Sequence, residues 1–193
     1  MEKRSKRDEI VQAALELIAN NGFHGTPMSM IAEKAGVGAG TIYRYFESKD
    51  ALMTASHEEL AKKLLSELQR KYSTADTFRE RFLHLSRTLL KYFVAHPVDF
   101  RFLEQYFNSP YGVSLRRERI RGETGEQDLF KEFFEQGIKE KVLKDVPLFI
   151  HFGMAIGPII CLARDHSLGL ITLNEEEIAQ VSEACWDAIK KQG

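Results

Sequence analysis

Between Gly38 and Lys49 the chain concentrates groups that suit phosphate oxygens and base edges. These are Thr41, Tyr43, Arg44, Tyr45 and Lys49, with Gly38, Ala39 and Gly40 just ahead of them. Hydroxyl, guanidinium and ammonium donors hold a sugar–phosphate backbone, while Arg or a small apolar side chain reads the major groove. Spacing decides which of them face outward. Ile42 and Phe46 stand four apart and form the inward side of a short helix, which leaves Ala39, Thr41, Tyr43, Arg44 and Tyr45 outside. Two tyrosines on a short exposed helix serve core packing poorly, and their hydroxyls suit phosphate. Catalytic chemistry is thin by comparison. The chain has no Walker loop, GxSxG, HExxH or dinucleotide fingerprint, and its six His residues show no ligand spacing. Cys161 and Cys185 lie in apolar helical settings that suggest packing, and two Cys exclude a four-Cys zinc site. An enzyme, a metal site and a cofactor are therefore not expected.

The elements that must hold the short helix precede it. Ile10, Ala14, Leu17 and Ile18 make one stripe over 6–21, which Asn21-Gly22 terminates. Thr26-Pro27 reads as an N-cap followed by Pro at the first helical position. Ile31 and Ala35 then face inward, Ala32 is small enough for close helix approach, Gly36 permits a tight turn and Val37 fills the angle. This is the layout of a helix-turn-helix.

Over the whole chain, caps and prolines predict an all-α fold of about nine helices. They lie near 6–21, 27–35, 39–45, 49–71, 77–95, 98–108, 125–142, 147–166 and 174–191. Thr77 with Glu80 and Asn174 with Glu177 have capping-box spacing, and Pro158 should kink the eighth helix. A three-helix unit over 1–50 is thus followed by a larger helical domain over 51–193. Arg116 to Arg121 reads as a solvated connector.

Composition limits how the chain could bind nucleic acid. Its 193 residues carry 27 Lys+Arg against 28 Asp+Glu, so a protein that grips DNA with its whole surface is excluded. Local charge remains, in the arm Lys3, Arg4, Lys6 and Arg7 and at Arg44 and Lys49. Hydrophobic residues at 44% argue against disorder. The first nine residues lack a secretory apolar stretch. The longest apolar run, Leu148 to Ala163, is interrupted by His151, Gly153, Gly157 and Pro158 and reads as a buried helix rather than a membrane span. A cytoplasmic protein without a membrane partner is expected.

Gly40-Thr41-Ile42-Tyr43-Arg44-Tyr45-Phe46 and Ser48-Lys49-Asp50-Ala51-Leu52 resemble the signature of the TetR/AcrR family of transcriptional regulators. So do Gly22-Phe23 and Ile31-Ala32 with Ala35-Gly36-Val37. The resemblance covers roughly residues 8–52. It implies that Thr26 and Ser29 open the first helix of the motif against DNA, and that Ala39, Gly40 and Thr41 lie at the major-groove end of the recognition helix. Tyr43, Tyr45 and Lys49 match phosphate-holding positions, and Arg44 reaches either a guanine or a phosphate. Gly38 and Ala39 depart from the Ser and the longer polar residue frequent in the family, which weakens the helix cap and removes one base-reading hydrogen bond.

In the larger domain, residues 78–152 hold eleven of the 13 Phe. An aromatic core is the plain explanation. The sharper one is an apolar effector cavity lined by Phe82, His84, Phe93, Phe102, Tyr106, Phe107, Phe133, Phe134, His151 and Phe152. A dimer surface is expected from Gly153, Ile156, Gly157 and Ile160 together with Val181, Cys185, Trp186 and Ile189, and the family resemblance implies a four-helix interface. The expected protein is a homodimeric repressor on a palindromic double-stranded operator, released by a small hydrophobic effector. The alternative is an effector-independent architectural protein whose larger domain only dimerises.

Overall fold

The computed structural model describes residues 5–121 and 128–192. Among them there is no β-strand, only an isolated bridge between Leu143 and Lys190. Eleven helices follow in order: α1 (Lys6–Asn21), α2 (Met28–Lys34), α3 (Ala39–Tyr45), α4 (Lys49–Gln69), α5 (Phe78–Ala95) and α6 (Pro97–Phe107). Then come α7 (Pro110–Arg121), α8 (Leu129–Lys139), α9 (Leu148–Ala155), α10 (Gly157–Ser167) and α11 (Glu175–Ile189). The capping boxes at Thr77/Glu80 and Asn174/Glu177 are both formed, and Ser5 with Asp8 makes a third at the start of α1. Each satisfies two backbone N–H groups that a helix start leaves open.

Two differences from the expected helices have local causes. Residues 110–121 form α7 rather than a connector. Ser109 opens it, accepting from Val113 N–H at its carbonyl (3.0 Å), and Pro110 stands in the first position. Pro costs nothing there, because its missing N–H would have had no partner. The apolar run from Leu148 is two helices rather than one kinked helix. Pro158 cannot extend the hydrogen-bond ladder, which ends at Ala155 and restarts at Gly157.

The chain divides into two compact units. The first comprises Met1–Lys63 with Val98–Ser114, and the second Leu64–Pro97 with Leu115–Gly193. This differs from a division at residue 50, because α6 and the start of α7 join the first unit and the cut falls inside α4.

In the first unit α1 packs on α2, and α2 on α3. Ile10, Ala14 and Ile18 of α1 meet a core of Ile31, Ala32, Ile42, Phe46, Leu52, Met53 and Leu60. Each large aliphatic contributes about 1.5–3 kcal/mol by burial. Two glycines shape the turns: Gly22 ends α1 at φ +72°, and Gly36 turns between α2 and α3 at φ +63°. Segment 98–114 adds Phe100, Phe102 and Tyr106. Tyr106 stacks on the buried His57 of α4, with centroids 4.0 Å apart and rings 9° from parallel.

In the second unit α5 is central and packs on α8, α10 and α11, while α9 packs on α8, α10 and α11. Phe82, Leu85, Leu89 and Phe93 recur at helical spacing along its buried side. Phe82 meets Phe133 at 5.9 Å and Trp186 at 5.8 Å between centroids. Phe134 meets Phe133, His151 and Phe152 at 5.7, 5.3 and 5.1 Å.

Candidate nucleic-acid interface

The short helix α3 stands on Ile42, which is fully buried, and on Phe46 just past its end. That anchor turns the remaining side chains outward. Tyr43 is 55% and Tyr45 46% exposed, and Ala39, Gly40 and Arg44 are exposed beside them, with Thr41 half-buried. Nothing lies within 4 Å of where a Cβ at Gly40 would stand, so its backbone is open to close approach. Arg44 occupies the last turn of α3, the favourable end of the dipole for a cation. Ser29 on α2 is exposed as well. So is Met30 beside it, an apolar residue on a polar face.

Three expected contacts are placed differently. Thr26 is completely buried, with its hydroxyl 2.8 Å from the Gly22 carbonyl and 3.2 Å from that of Leu17. Pro27, not Thr26, is the N-cap of α2. The Thr26 side chain therefore ties the end of α1 to the motif, and presenting its hydroxyl to DNA is corrected on that ground. Lys49 is half-buried, donates to the Phe23 carbonyl and lies 4.1 Å from the centroid of the Phe23 ring. Burial lowers its pKa from the usual lysine value, partly offset by Asp50. Its first task is thus to fix the Gly22-Phe23 loop. Of the basic arm, Lys3 and Arg4 lie outside the described residues. Lys6 pairs with Glu9 (2.8 Å), and Arg7 pairs with Glu59 while lying 5.4 Å from the Phe46 ring centroid.

A buried aliphatic under an exposed hydroxyl- and guanidinium-bearing face, held by a Gly turn to a preceding helix, is the geometry of a helix-turn-helix reading head. The profile of bacterial regulatory proteins of the tetR family matches residues 10–55, and that of the tetracyclin repressor-like C-terminal domain matches residues 77–190, more than half of the chain. The chain belongs to the TetR family. It is similar to a TetR-family transcriptional regulator from Vibrio parahaemolyticus, 31% identical with a TM-score of 0.78, over 97% of this chain and 100% of that one. A TetR-family regulator of known structure from Haemophilus influenzae is 25% identical, with a TM-score of 0.82 over 96% and 97% of the two chains. The fatty acid metabolism regulator protein of Bacillus subtilis is 35% identical over 80 residues, which span 42% of this chain and 41% of that protein. This TetR-family chain is accordingly a transcriptional regulator with a DNA-binding helix-turn-helix.

The residues expected to line an effector cavity fall in both units. Phe102, Tyr106 and Phe107 belong to the first, where Tyr106 and Phe107 surround His57. Phe82, His84, Phe93, Phe133, Phe134, His151 and Phe152 belong to the second. There Phe82, Phe133, Phe134 and His151 are fully buried and Phe93 nearly so. His84 is half-buried, with Nε2 3.0 Å from the Leu68 carbonyl. An open cleft of about 320 Å³ on the first unit, floored by Val11, Leu15 and Leu60, touches none of the ten. His151 has neither ring nitrogen in a hydrogen bond among the described residues. Burial lowers its pKa below the usual histidine value, against a smaller opposing pull from the carbonyls of Pro147, Lys144 and Val146.

The expected dimer surface divides too. Gly153 and Gly157 are exposed with nothing within 4 Å of an added Cβ, and Ile156, Ile160 and Val181 are half-buried. Cys185, Trp186 and Ile189 are instead buried within the subunit, because that stripe of α11 faces α5. Their assignment to the dimer surface is corrected. Burial pushes the Cys185 thiol up to about 11. Leu148–Ser167 is long and apolar enough to cross a membrane by length and composition. The expected buried helix is instead two pieces of 8 and 11 residues, buried at His151, Ala155, Ile159 and Ala163 and half-buried or exposed along the rest. Phe149, Leu168 and Leu170 extend that exposed apolar character, Leu170 to 70%.

Proposed function

We propose that this TetR-family regulator acts as a homodimeric repressor, with α3 of each subunit in successive major grooves of a palindromic operator. The observation that carries the reading is the outer face of α3, where Tyr43, Arg44 and Tyr45 stand exposed over the buried Ile42. Tyr43 and Tyr45 hold phosphates, Ala39, Gly40 and Thr41 approach base edges, and Arg44 contacts a guanine or a phosphate. Ser29 meets the backbone from α2, and Lys49 adds positive charge behind the Phe23 loop.

The exposed apolar face of α9 and α10, with Gly153, Ile156, Gly157 and Ile160, supplies the two-fold contact, joined by Val181 of α11. An apolar surface of this kind in water is costly and is covered by a second copy. A small apolar effector bound in the second unit favours a state whose recognition helices no longer match the half-site spacing. It shifts the equilibrium only by its differential affinity for the two states. The tight ring packing around Phe133 and Phe134 supports the alternative, in which the second unit serves only folding and dimerisation.

Selection of genomic fragments by the purified protein, with and without hydrophobic compounds, tests both readings. Repression predicts enrichment of a two-fold symmetric sequence upstream of a gene, lost when an effector is added. Enrichment that no compound alters selects the alternative, and failure to enrich any sequence at low salt removes the operator reading.

A further inference from the structure

Within the first unit, Lys6, Arg7, Lys34 and Lys63 each pair with a carboxylate. Lys49 forms no ion pair among the described residues, although Asp50 follows it directly. Only Phe46, Glu47 and Ser48 separate it from the end of α3, so it opens α4 beside the reading helix. Its ammonium donates to the Phe23 carbonyl and lies 4.1 Å from the centroid of the Phe23 ring. An ammonium carries three donors, and the other two make no hydrogen bond among the described residues. A half-buried cation left unbalanced is costly until an anion reaches it.

The nearest counter-ion in the chain is already engaged. The Tyr111 hydroxyl donates to the Asp50 carboxylate, which holds the phenol proton in place and raises the Tyr111 pKa above the ordinary tyrosine value. The Tyr111 ring also meets the Phe23 ring edge-on, with centroids 6.0 Å apart and planes at 66°. Four residues thus close a circuit. Lys49 rests on Phe23, Phe23 meets Tyr111, Tyr111 holds Asp50, and Asp50 is bonded to Lys49 along the chain.

The segment that carries Tyr111 braces the same loop at two further points. Arg101 Nη2 donates to Asn20 Oδ1 at 3.1 Å, and Gln105 Oε1 lies 3.5 Å from where a Cβ at Gly22 would stand. All of these residues belong to the first unit.

We propose that Tyr111 is a positioning residue for DNA binding, withholding Asp50 from Lys49 and bracing Phe23 so that the Lys49 ammonium is left for a DNA phosphate. Two routes use different atoms. The hydroxyl engages the carboxylate, and the ring supports the platform on which the ammonium rests. A released Asp50 carboxylate would compete with phosphate for that ammonium and would itself repel the DNA backbone. The role rests on the phosphate contact proposed for Lys49.

Binding of the full chain to a mixed-sequence duplex over a range of salt concentrations tests it, because phosphate contacts act on any sequence. Lys49→Met should weaken binding about tenfold at low salt and reduce the salt slope by about one per subunit. Tyr111→Phe keeps the ring and loses the hydroxyl. It should reduce the slope by part of that amount, with the melting temperature nearly unchanged. Tyr111→Leu loses both routes and should approach Lys49→Met. Adding Asp50→Asn to Tyr111→Phe should restore most of the lost affinity. In the Lys49→Met background neither Tyr111 change should weaken binding further, whereas losses from a loosened fold would add.

The positioning role is overturned if both Tyr111 variants keep the parent slope while Lys49→Met reduces it; the phosphate contact of Lys49 then stands alone. Additive loss in the Lys49→Met background overturns it as well and makes Tyr111 a packing residue. An unchanged slope in Lys49→Met removes the phosphate contact, and the positioning role with it.

Discussion

Two faces of this chain leave large side chains in water, and they differ at the tips. On α3 the exposed rings of Tyr43 and Tyr45 end in hydroxyls, with the Arg44 guanidinium between them. On α9, α10 and the turn beyond, the exposed groups end in bare hydrocarbon: Phe149, Leu168 and Leu170, with Ile156 and Ile160 half-covered. A tip that donates hydrogen bonds suits a solvated polyanion, whose phosphates keep their water until contact. A bare tip suits only another bare surface. Matched solvation is thus the rule behind both proposed roles, DNA on α3 and a second copy on α9 and α10.

The largest break in that comparison should come from Ile160→Glu, which places charge on the hydrocarbon face. Light scattering should report a monomer. Operator affinity should fall about a hundredfold or more as the second half-site contact ceases to be intramolecular. A dimer of unchanged affinity would return the α10 face to the category of unexplained exposure.

Phe133→Ala acts in the core of the second unit, where the ring meets Phe78, Phe82 and Phe134. It should cost about 3–5 kcal/mol in chemical denaturation. DNA affinity per folded molecule should hold. If affinity falls with stability intact, the ring cluster is more than packing.

Tyr43→Ala should lower operator affinity by about tenfold and leave the melting temperature nearly unchanged, since the ring is mostly in solvent. Tyr43→Phe should lose most of that affinity as well, because the hydroxyl tip is what distinguishes this face. Equal binding by Tyr43→Phe and the parent sinks that distinction.

The smallest effect concerns His151, buried in the second unit beside Phe134. Its folded pKa lies below the ordinary value, and Lys144 pulls in the same direction as burial. Between the two pKa values the unfolded chain binds the proton and the folded chain does not. Its contribution to stability is complete above about pH 6.5 and is lost as pH falls toward the folded pKa. Urea midpoints between pH 8 and 5 should drop for the parent and drop less for His151→Phe. Identical profiles would mean that the imidazole finds water or a carbonyl when protonated.

Much of this was legible beforehand where the signal was local. The four-residue spacing of Ile42 and Phe46 oriented α3, and the two capping boxes placed the starts of α5 and α11. Where partners are distant in sequence, the same residues misled. Thr26-Pro27 and Ser109-Pro110 look alike as dipeptides, yet only the second opens its helix at Pro; Thr26 is buried against α1. The Cys185, Trp186 and Ile189 stripe announces that α11 has an apolar side, but periodicity does not say which helix covers it. The α6 rings were grouped with their sequence neighbours in α5, while their contacts lie with His57.

The inclusion of Val98–Ser114 in the first unit bears on how the protein is made. Ribosomes extend a chain at about 5–20 residues per second, and domains generally fold as they emerge. The first unit cannot be completed in order. Its N-terminal helices leave the ribosome first, but Phe100, Phe102 and Tyr106 arrive only after α5 of the other unit has been synthesised. Until then His57 lacks the Tyr106 and Phe107 rings that pack against it in the complete chain. The time needed to translate α5 thus sets a minimum delay before any copy of this regulator can complete its first unit.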